Sequence, residues 1–295
     1  MDLRDQLQQT LGDAYTLERE LGAIGMSRVF VAEDTIHHRK VVIKVLPPEV
    51  AAAISLDRFK QEIEVASRLQ HPNIVSVLSS GATAGLPYYT MPLVEGQSLQ
   101  ARIARYGALP IRDAVRILRD VLSAFATAHE HGIVHRDMKP DNVVLGKSGW
   151  QVTDFGIAMA LAASSPPGSF VTSLGVALGS PAYMAPEQVA ADPSLDHRAD
   201  IYAVGAIAYE MISGSSLFPG RSPQATMVAH AIERPKPLEV KQLSAPDGLA
   251  ALIMRAIEKD PAARPQSAEE MLDGLNALSS PAAGSKPAID PKPDR

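Results

Sequence analysis

The chain has 295 residues, of which 46% are hydrophobic and 21% charged, with a formal net charge of -5 and no cysteine. That composition is of a soluble globular protein long enough for more than one packed unit, and no run of Lys and Arg offers a surface to nucleic acid. Disulfides and thiolate metal sites are excluded, and the sequence has neither the apolar core of a signal peptide nor the ~20 apolar residues of a spanning helix.

Residues 1–14 read as a polar N-terminal extension. Short β-type segments then follow at Tyr15–Glu20, Arg28–Glu33 and Lys40–Leu46, separated by Gly or polar turns. Apolar steps at Phe59, Ile63, Ala66 and Leu69 predict a helix over Ser55–Leu69, with Ser55 and Asp57 as capping candidates. Two further strands fit Ile74–Ser79 and Pro87–Met91. Beyond Val94 the pattern turns helical, over Ile111–His131, His197–Ser213, Ala225–Ile232, Pro246–Ile257 and Ala268–Leu278. His197–Ser213 is apolar nearly all round, which predicts a buried helix. This divides the chain into a sheet-rich part at 15–93, a helical part at 94–280, and a Pro-rich linker or tail at 281–295.

The segment richest in chemistry is His135-Arg136-Asp137-Met138-Lys139-Pro140-Asp141-Asn142, followed twelve residues on by Asp154-Phe155-Gly156. Val41-Val42-Ile43-Lys44 precedes it and Ala185-Pro186-Glu187 follows. This ordered set closely resembles the protein kinases, and among them the eukaryotic-like serine/threonine kinases of bacteria. The resemblance runs from about Tyr15 to Ala277. It implies an α+β, bilobal kinase fold, with a small five-stranded antiparallel N-lobe carrying one helix and a larger, mainly helical C-lobe. The implied activity is transfer of the ATP γ-phosphate to protein hydroxyls, with Mg²⁺ as cofactor or Mn²⁺ in its place.

Phosphoryl transfer passes through a loose transition state, so such an enzyme mainly positions groups and neutralises charge. By resemblance, Asp137 accepts the proton of the acceptor hydroxyl and Lys139 contacts the γ-phosphate. Asn142 and Asp154 are the implied Mg²⁺ ligands, in keeping with the preference of Mg²⁺ for hard oxygen donors. Lys44 is implied to contact the α- and β-phosphates and to pair with Glu62. Glu64 is the alternative partner, and helical geometry lets only one of the two face Lys44.

The glycine-rich loop departs from the family pattern. Leu21 and Gly22 open it and Val29 closes it, but Ile24 and Ser27 stand where the family has its second and third glycines. Gly25 is the remaining flexible position. A β-branched residue resists positive φ and adds bulk near phosphates, so Ile24 is expected to weaken ATP binding. For adenine the resemblance points to Met91 at the back of the pocket and to the backbone of Pro92 and Val94. Val29, Val42 and Val144 form the implied apolar walls.

The segment 154–187 points to a protein substrate. Ser180, within Gly179-Ser180-Pro181-Ala182-Tyr183, is implied to help hold Asp137 and Lys139. Thr172 and Ser173 are the candidate phosphorylation sites, because Arg136 beside Asp137 would meet a phosphate with bidentate hydrogen bonds. Asp200 is expected to cap the catalytic-loop backbone, and Glu187 to form a buried ion pair with Arg264. His129 and His131 read as favourable residues at a helix C-terminus. Protein substrates are the expected partners, a homodimer is allowed for trans-autophosphorylation, and no nucleic acid or membrane contact is expected. The expected location is the cytoplasm, where the chain can be part of a longer membrane-anchored kinase. The alternative, motivated by Ile24, is a pseudokinase acting as a nucleotide-binding regulatory scaffold.

Overall fold

The computed structural model describes residues 3–24, 27–46, 48–52, 55–83, 86–155, 157, 180–239, 246 and 248–279. Its N-terminal part is a five-stranded antiparallel sheet in the order β1-β2-β3-β5-β4. The strands are β1 (Tyr15–Ile24), β2 (Ser27–Asp34), β3 (Arg39–Val45), β4 (Ser79–Thr83) and β5 (Leu86–Pro92). Alternation along β3 separates the two faces of the sheet. Val41, Ile43 and Val45 join one apolar cluster, whereas Val42 and Leu46 join the other.

Helix α1 (Leu3–Leu11) covers the first face, with Leu7 and Leu11 buried beside Phe30, Val41 and Ile43. Gln8 ties it to β1: its Oε1 accepts the Leu17 N–H at 2.8 Å and its Nε2 donates to the Tyr15 carbonyl at 2.9 Å. This stretch read as a polar extension because only two of its apolar positions are buried. The short helix α2 (Pro48–Ala51) leads to α3 (Leu56–Ser67), which covers the second face through Phe59 and Ile63. Ser55 occupies the N-cap position of α3 with extended backbone, although its side chain makes no cap bond.

The strand expected over Ile74–Ser79 is displaced: β4 begins at Ser79. Ile74 and Val75 turn instead toward the other lobe. Ile74 bridges Val152 in parallel, the Val75 N–H donates to the Val152 carbonyl at 2.9 Å, and the Val152 N–H donates to Asn73 at 2.8 Å. An apolar, β-branched run looks the same whether its partner is local or distant. Here the distant partner won and buried both side chains.

The helical lobe contains α4 (Leu99–Tyr106), α5 (Ile111–Glu130), α6 (Pro186–Val189), α7 (Arg198–Ser213), α8 (Pro223–Ile232), α9 (Leu249–Ala256) and α10 (Ala268–Ser279). Every residue of α7 from Ala199 to Ile212 is buried. Helix α4 has a clear local signal in Ser98, whose hydroxyl accepts the Ala101 N–H at 3.1 Å. The hairpin of β6 (Val143–Gly146) and β7 (Gly149–Val152) lies against the inter-lobe segment. Gly96 permits that approach, since a Cβ there would stand 1.8 Å from the Leu145 carbonyl oxygen.

A polar network is buried within this lobe. Lys259 Nζ donates to the His230 carbonyl at 2.7 Å and to the Tyr202 hydroxyl at 3.3 Å, and that hydroxyl lies 2.8 Å from His230 Nδ1. Burial, reinforced by the Lys259 charge, pulls the His230 pKa from 6.5 down to about 4. On acidification the unfolded chain therefore takes up this proton first, and stability falls between about pH 6.5 and pH 4. In urea titrations the wild type should lose more stability than His230→Gln between pH 7 and pH 5. Equal losses in the two proteins would remove His230 from the account.

Candidate active site

The segment His135–Asn142 is an irregular loop fixed from below by α7. Asp200, almost fully buried, accepts the backbone N–H of His135 at 2.8 Å and of Arg136 at 2.9 Å. His129 Nε2 lies 2.9 Å from the same carboxylate. Burial by itself would raise the Asp200 pKa, but the His129 hydrogen bond, the nearby histidines and the backbone donor hold it below the usual range. Arg136 sits at φ +63°, a costly region for a non-glycine residue. It is held there by the two bonds into Asp200 and by the Gln188 side chain, which donates to its carbonyl at 2.7 Å.

His135 links this loop to the next chemical element. Its Nδ1 accepts the Asp137 N–H at 3.3 Å, so Nε2 carries the proton and donates to the Thr153 carbonyl at 2.8 Å. Phe155 packs on the same imidazole, with ring centroids 4.9 Å apart, and on Phe125 at 5.2 Å. These contacts place Asp137 and Asp154 on one framework.

Both oxygens of Asp137 are occupied. Lys139 Nζ reaches Oδ2 at 2.8 Å and the Ser180 N–H donates to Oδ1 at 3.2 Å. Ser180 thus touches Asp137 through its backbone rather than its hydroxyl. Asn142 donates its side-chain N–H to the Asp137 carbonyl at 2.8 Å, and its own amide oxygen makes no hydrogen bond among the described residues.

Asp154 also stands in the left-handed region, at φ +68°. Lys44 Nζ is 2.5 Å from its Oδ2 and the Tyr89 hydroxyl donates to Oδ1 at 3.1 Å. Burial would raise its pKa, yet the Lys44 charge and hydrogen bond bring it below the normal carboxylate value. The pairing of Lys44 with Glu62 implied by the resemblance is not present among the described residues. The physical reason is competition: the Asp154 side chain is largely shielded from water and needs a counter-charge, while Glu62 stays partly exposed on α3. Glu64 is no substitute, since it lies on the exposed face with Arg68, 3.6 Å away.

Val29, Val42 and Met91 are buried in one cluster, with Val94 and Val144 packed against it. These apolar side chains of the sheet therefore meet Val144 of β6 in one cluster. At its edge, the Val94 N–H has no backbone partner among the described residues. Gly22 adopts φ +108° beside a break in the β1–β2 register, a conformation only glycine takes easily. Ile24 does not: it is a strand position paired with Ser27. The backbone strain expected at Ile24 is therefore absent, because extended backbone suits a β-branched residue. Gly25, Thr172 and Ser173 lie outside the described residues, as do residues 281–295.

No group of three or more His, Cys, Asp or Glu side chains with metal-site geometry occurs among the described residues. One buried carboxylate and one amide oxygen on neighbouring segments still suit Mg²⁺, which is commonly held by one or two protein oxygens together with substrate phosphates. Two contributors escaped the sequence reading. His129, read only as a helix-end residue, supports Asp200, and its spacing six residues before His135 could have suggested this. Tyr89 gave no signal, since its role depends on a contact 65 residues away.

Residues 15–274 match the family described as "Protein kinase domain". The chain belongs to the protein kinase domain family. Serine/threonine-protein kinase PknB of Mycolicibacterium smegmatis is 37% identical over 269 residues, covering 89% of this chain and 42% of that protein. Serine/threonine-protein kinase pkn2 of Myxococcus xanthus is 36% identical over 286 residues, covering 95% and 34%. PknB of Mycobacterium tuberculosis is 37% identical over 267 residues, covering 88% and 42%. This kinase domain therefore spans well under half the length of these curated relatives. No helix among its described residues is long and apolar enough to cross a membrane.

The protein kinase domain is braced at its base by a buried ion pair. Arg264 is fully buried, and its guanidinium grips Glu187 at 2.6 and 2.8 Å. Its remaining N–H groups donate to the carbonyls of Glu258, Arg198 and Lys259 at 2.7, 2.9 and 3.0 Å. All five guanidinium donors are thus satisfied.

Proposed function

We propose that the chain is an active serine/threonine protein kinase domain, transferring the γ-phosphate of ATP to protein hydroxyls. One observation carries the reading: Asp137, with Lys139 beside it, and Asp154, with Lys44 beside it, are held on a single hydrogen-bonded framework through His135. Asp137 takes the proton as the substrate hydroxyl oxygen bonds to the γ-phosphorus and the bond to the β–γ bridging oxygen breaks, releasing ADP. Lys139 balances charge on the transferring phosphoryl group, and Lys44 does so on the α- and β-phosphates. Asn142 and Asp154 would hold Mg²⁺, or Mn²⁺, which neutralises phosphate charge when bound. Adenine would lie against Val29, Val42, Met91 and Val144, with Pro92 and Val94 offering backbone bonds.

The acceptor class follows from Lys139-Pro140 and Ser180 near Asp137, and from the names of the relatives. Autophosphorylation at Thr172 or Ser173, between two copies, is supported by Arg136, whose Nε is buried with no partner among the described residues. A phosphate would supply that partner. An ATP-dependent enzyme of this kind would act in the cytoplasm.

Incubating the protein with Mg²⁺ and ATP and mapping phosphosites by mass spectrometry tests the proposal, with Asp137→Asn as control. Phosphate on Thr172 or Ser173 in the wild type alone is the expected result. The pseudokinase reading draws on the Lys44–Asp154 pair, which leaves Glu62 without Lys44 as its partner. It would replace the proposal if neither protein became modified nor phosphorylated a generic basic protein.

A further inference from the structure

Lys44 on β3 and Tyr89 on β5 are direct partners in the sheet register, so their side chains leave the same face side by side. They reach across the cleft to the two different oxygens of one carboxylate: Lys44 to Oδ2 at 2.5 Å and Tyr89 to Oδ1 at 3.1 Å. The Thr153 hydroxyl adds a bond to Oδ2 at 3.2 Å. The plane of the Asp154 carboxylate is therefore set from both ends while its backbone is held at φ +68°.

Tyr89 is 1% exposed, and this is its hydroxyl's only hydrogen bond among the described residues. A phenylalanine would fill the same apolar surroundings, beside Phe59, Ile63 and Met91, without bringing a polar group into them. A buried hydroxyl is costly unless it is bonded, so its presence is explained by the carboxylate it serves.

We propose that Tyr89 is a positioning residue that orients the Asp154 carboxylate for metal binding through its hydroxyl. It rests on the reading of Asp154 as the metal-binding carboxylate. Outer partners that orient a metal ligand typically contribute about 10–100-fold to metal affinity. Lys44 cannot do this alone, because it fixes one oxygen and is also assigned to the phosphates; Tyr89 has no such second task.

The test measures Mn²⁺ binding by the electron paramagnetic resonance signal of the free ion, in the presence of saturating adenylyl imidodiphosphate. Tyr89→Phe should weaken Mn²⁺ binding about 10-fold or more, with its melting temperature in metal-free buffer close to wild type. Unchanged or tighter binding would overturn the proposal. If the Phe variant does not fold, Tyr89→Met, which also lacks the hydroxyl and fills the space flexibly, takes its place with the same expectation. Asp154→Asn separates the two levels of the argument. If it too leaves Mn²⁺ binding intact, the metal-ligand reading itself fails; if it alone weakens binding, only the role of Tyr89 is lost.

Discussion

Replacing Asp137 with Asn should lower the rate of phosphoryl transfer by about 10²–10⁴-fold, the usual contribution of a positioned general base. The amide keeps the shape of the side chain and can still accept the Ser180 N–H, so the loop geometry should persist. It cannot take a proton, and it no longer offers Lys139 Nζ a charged partner at 2.8 Å. Nucleotide affinity should change little, because the groups assigned to adenine, the metal and the α- and β-phosphates are Lys44, Asn142, Asp154 and the apolar cluster around Val42 and Met91, and only Lys139 on the γ-phosphate loses a neighbour. Rapid-quench measurement of one turnover, alongside a nucleotide titration, checks both halves. A variant that transfers phosphate at the wild-type rate would remove Asp137 from the mechanism. One that merely loses ATP affinity would move it to the nucleotide site.

The second large effect is on stability rather than chemistry. Arg264→Ala should cost about 3–5 kcal/mol, because it leaves the Glu187 carboxylate and three carbonyls in the interior without their donors. For a domain of this size each kcal/mol corresponds to roughly 2–4 °C, so melting should fall by about 6–20 °C. The guanidinium also lies over the Tyr202 ring at 5.0 Å, and that packing is lost with it. Arg264→Lys should recover little, since an ammonium cannot serve a bidentate carboxylate and three carbonyls at once. The catalytic loop keeps its own anchor in Asp200, so the variant that remains folded at low temperature should retain most of its activity. Differential scanning calorimetry with an activity assay at 15 °C decides the case. An unchanged melting temperature would contradict the buried-pair account, and full stability with lost activity would place Arg264 in the site.

Much of the candidate site was legible because its residue types are dictated by chemistry at fixed local spacing. Asp137, Lys139 and Asn142 occupy one short loop, and Asp154 follows twelve residues later. The helical periods of α5, α7 and α10 were equally visible, since each buries one stripe or, for α7, its whole circumference. Strand β3 announced itself by β-branched residues flanking Lys44.

What the sequence left open depended on competition between partners far apart in the chain. Ile74 and Val75 carry a strand-like pattern, yet the segment Asn73–Val75 bridges Val152 rather than joining the five-stranded sheet. The helix face of Leu7 and Leu11 on the nine-residue α1 has meaning only once the β1–β3 surface lies beneath it. Ile24 looked strained by analogy with a glycine position, and the register with Ser27 made it an ordinary strand residue. Lys44 had several carboxylates available in principle. Residue types and local spacing determined which groups could do phosphoryl-transfer chemistry. Only the folded structure decided that Lys44 and Tyr89 would share Asp154, because a buried carboxylate binds the donors that desolvation and sheet register bring to it, not those nearest in sequence.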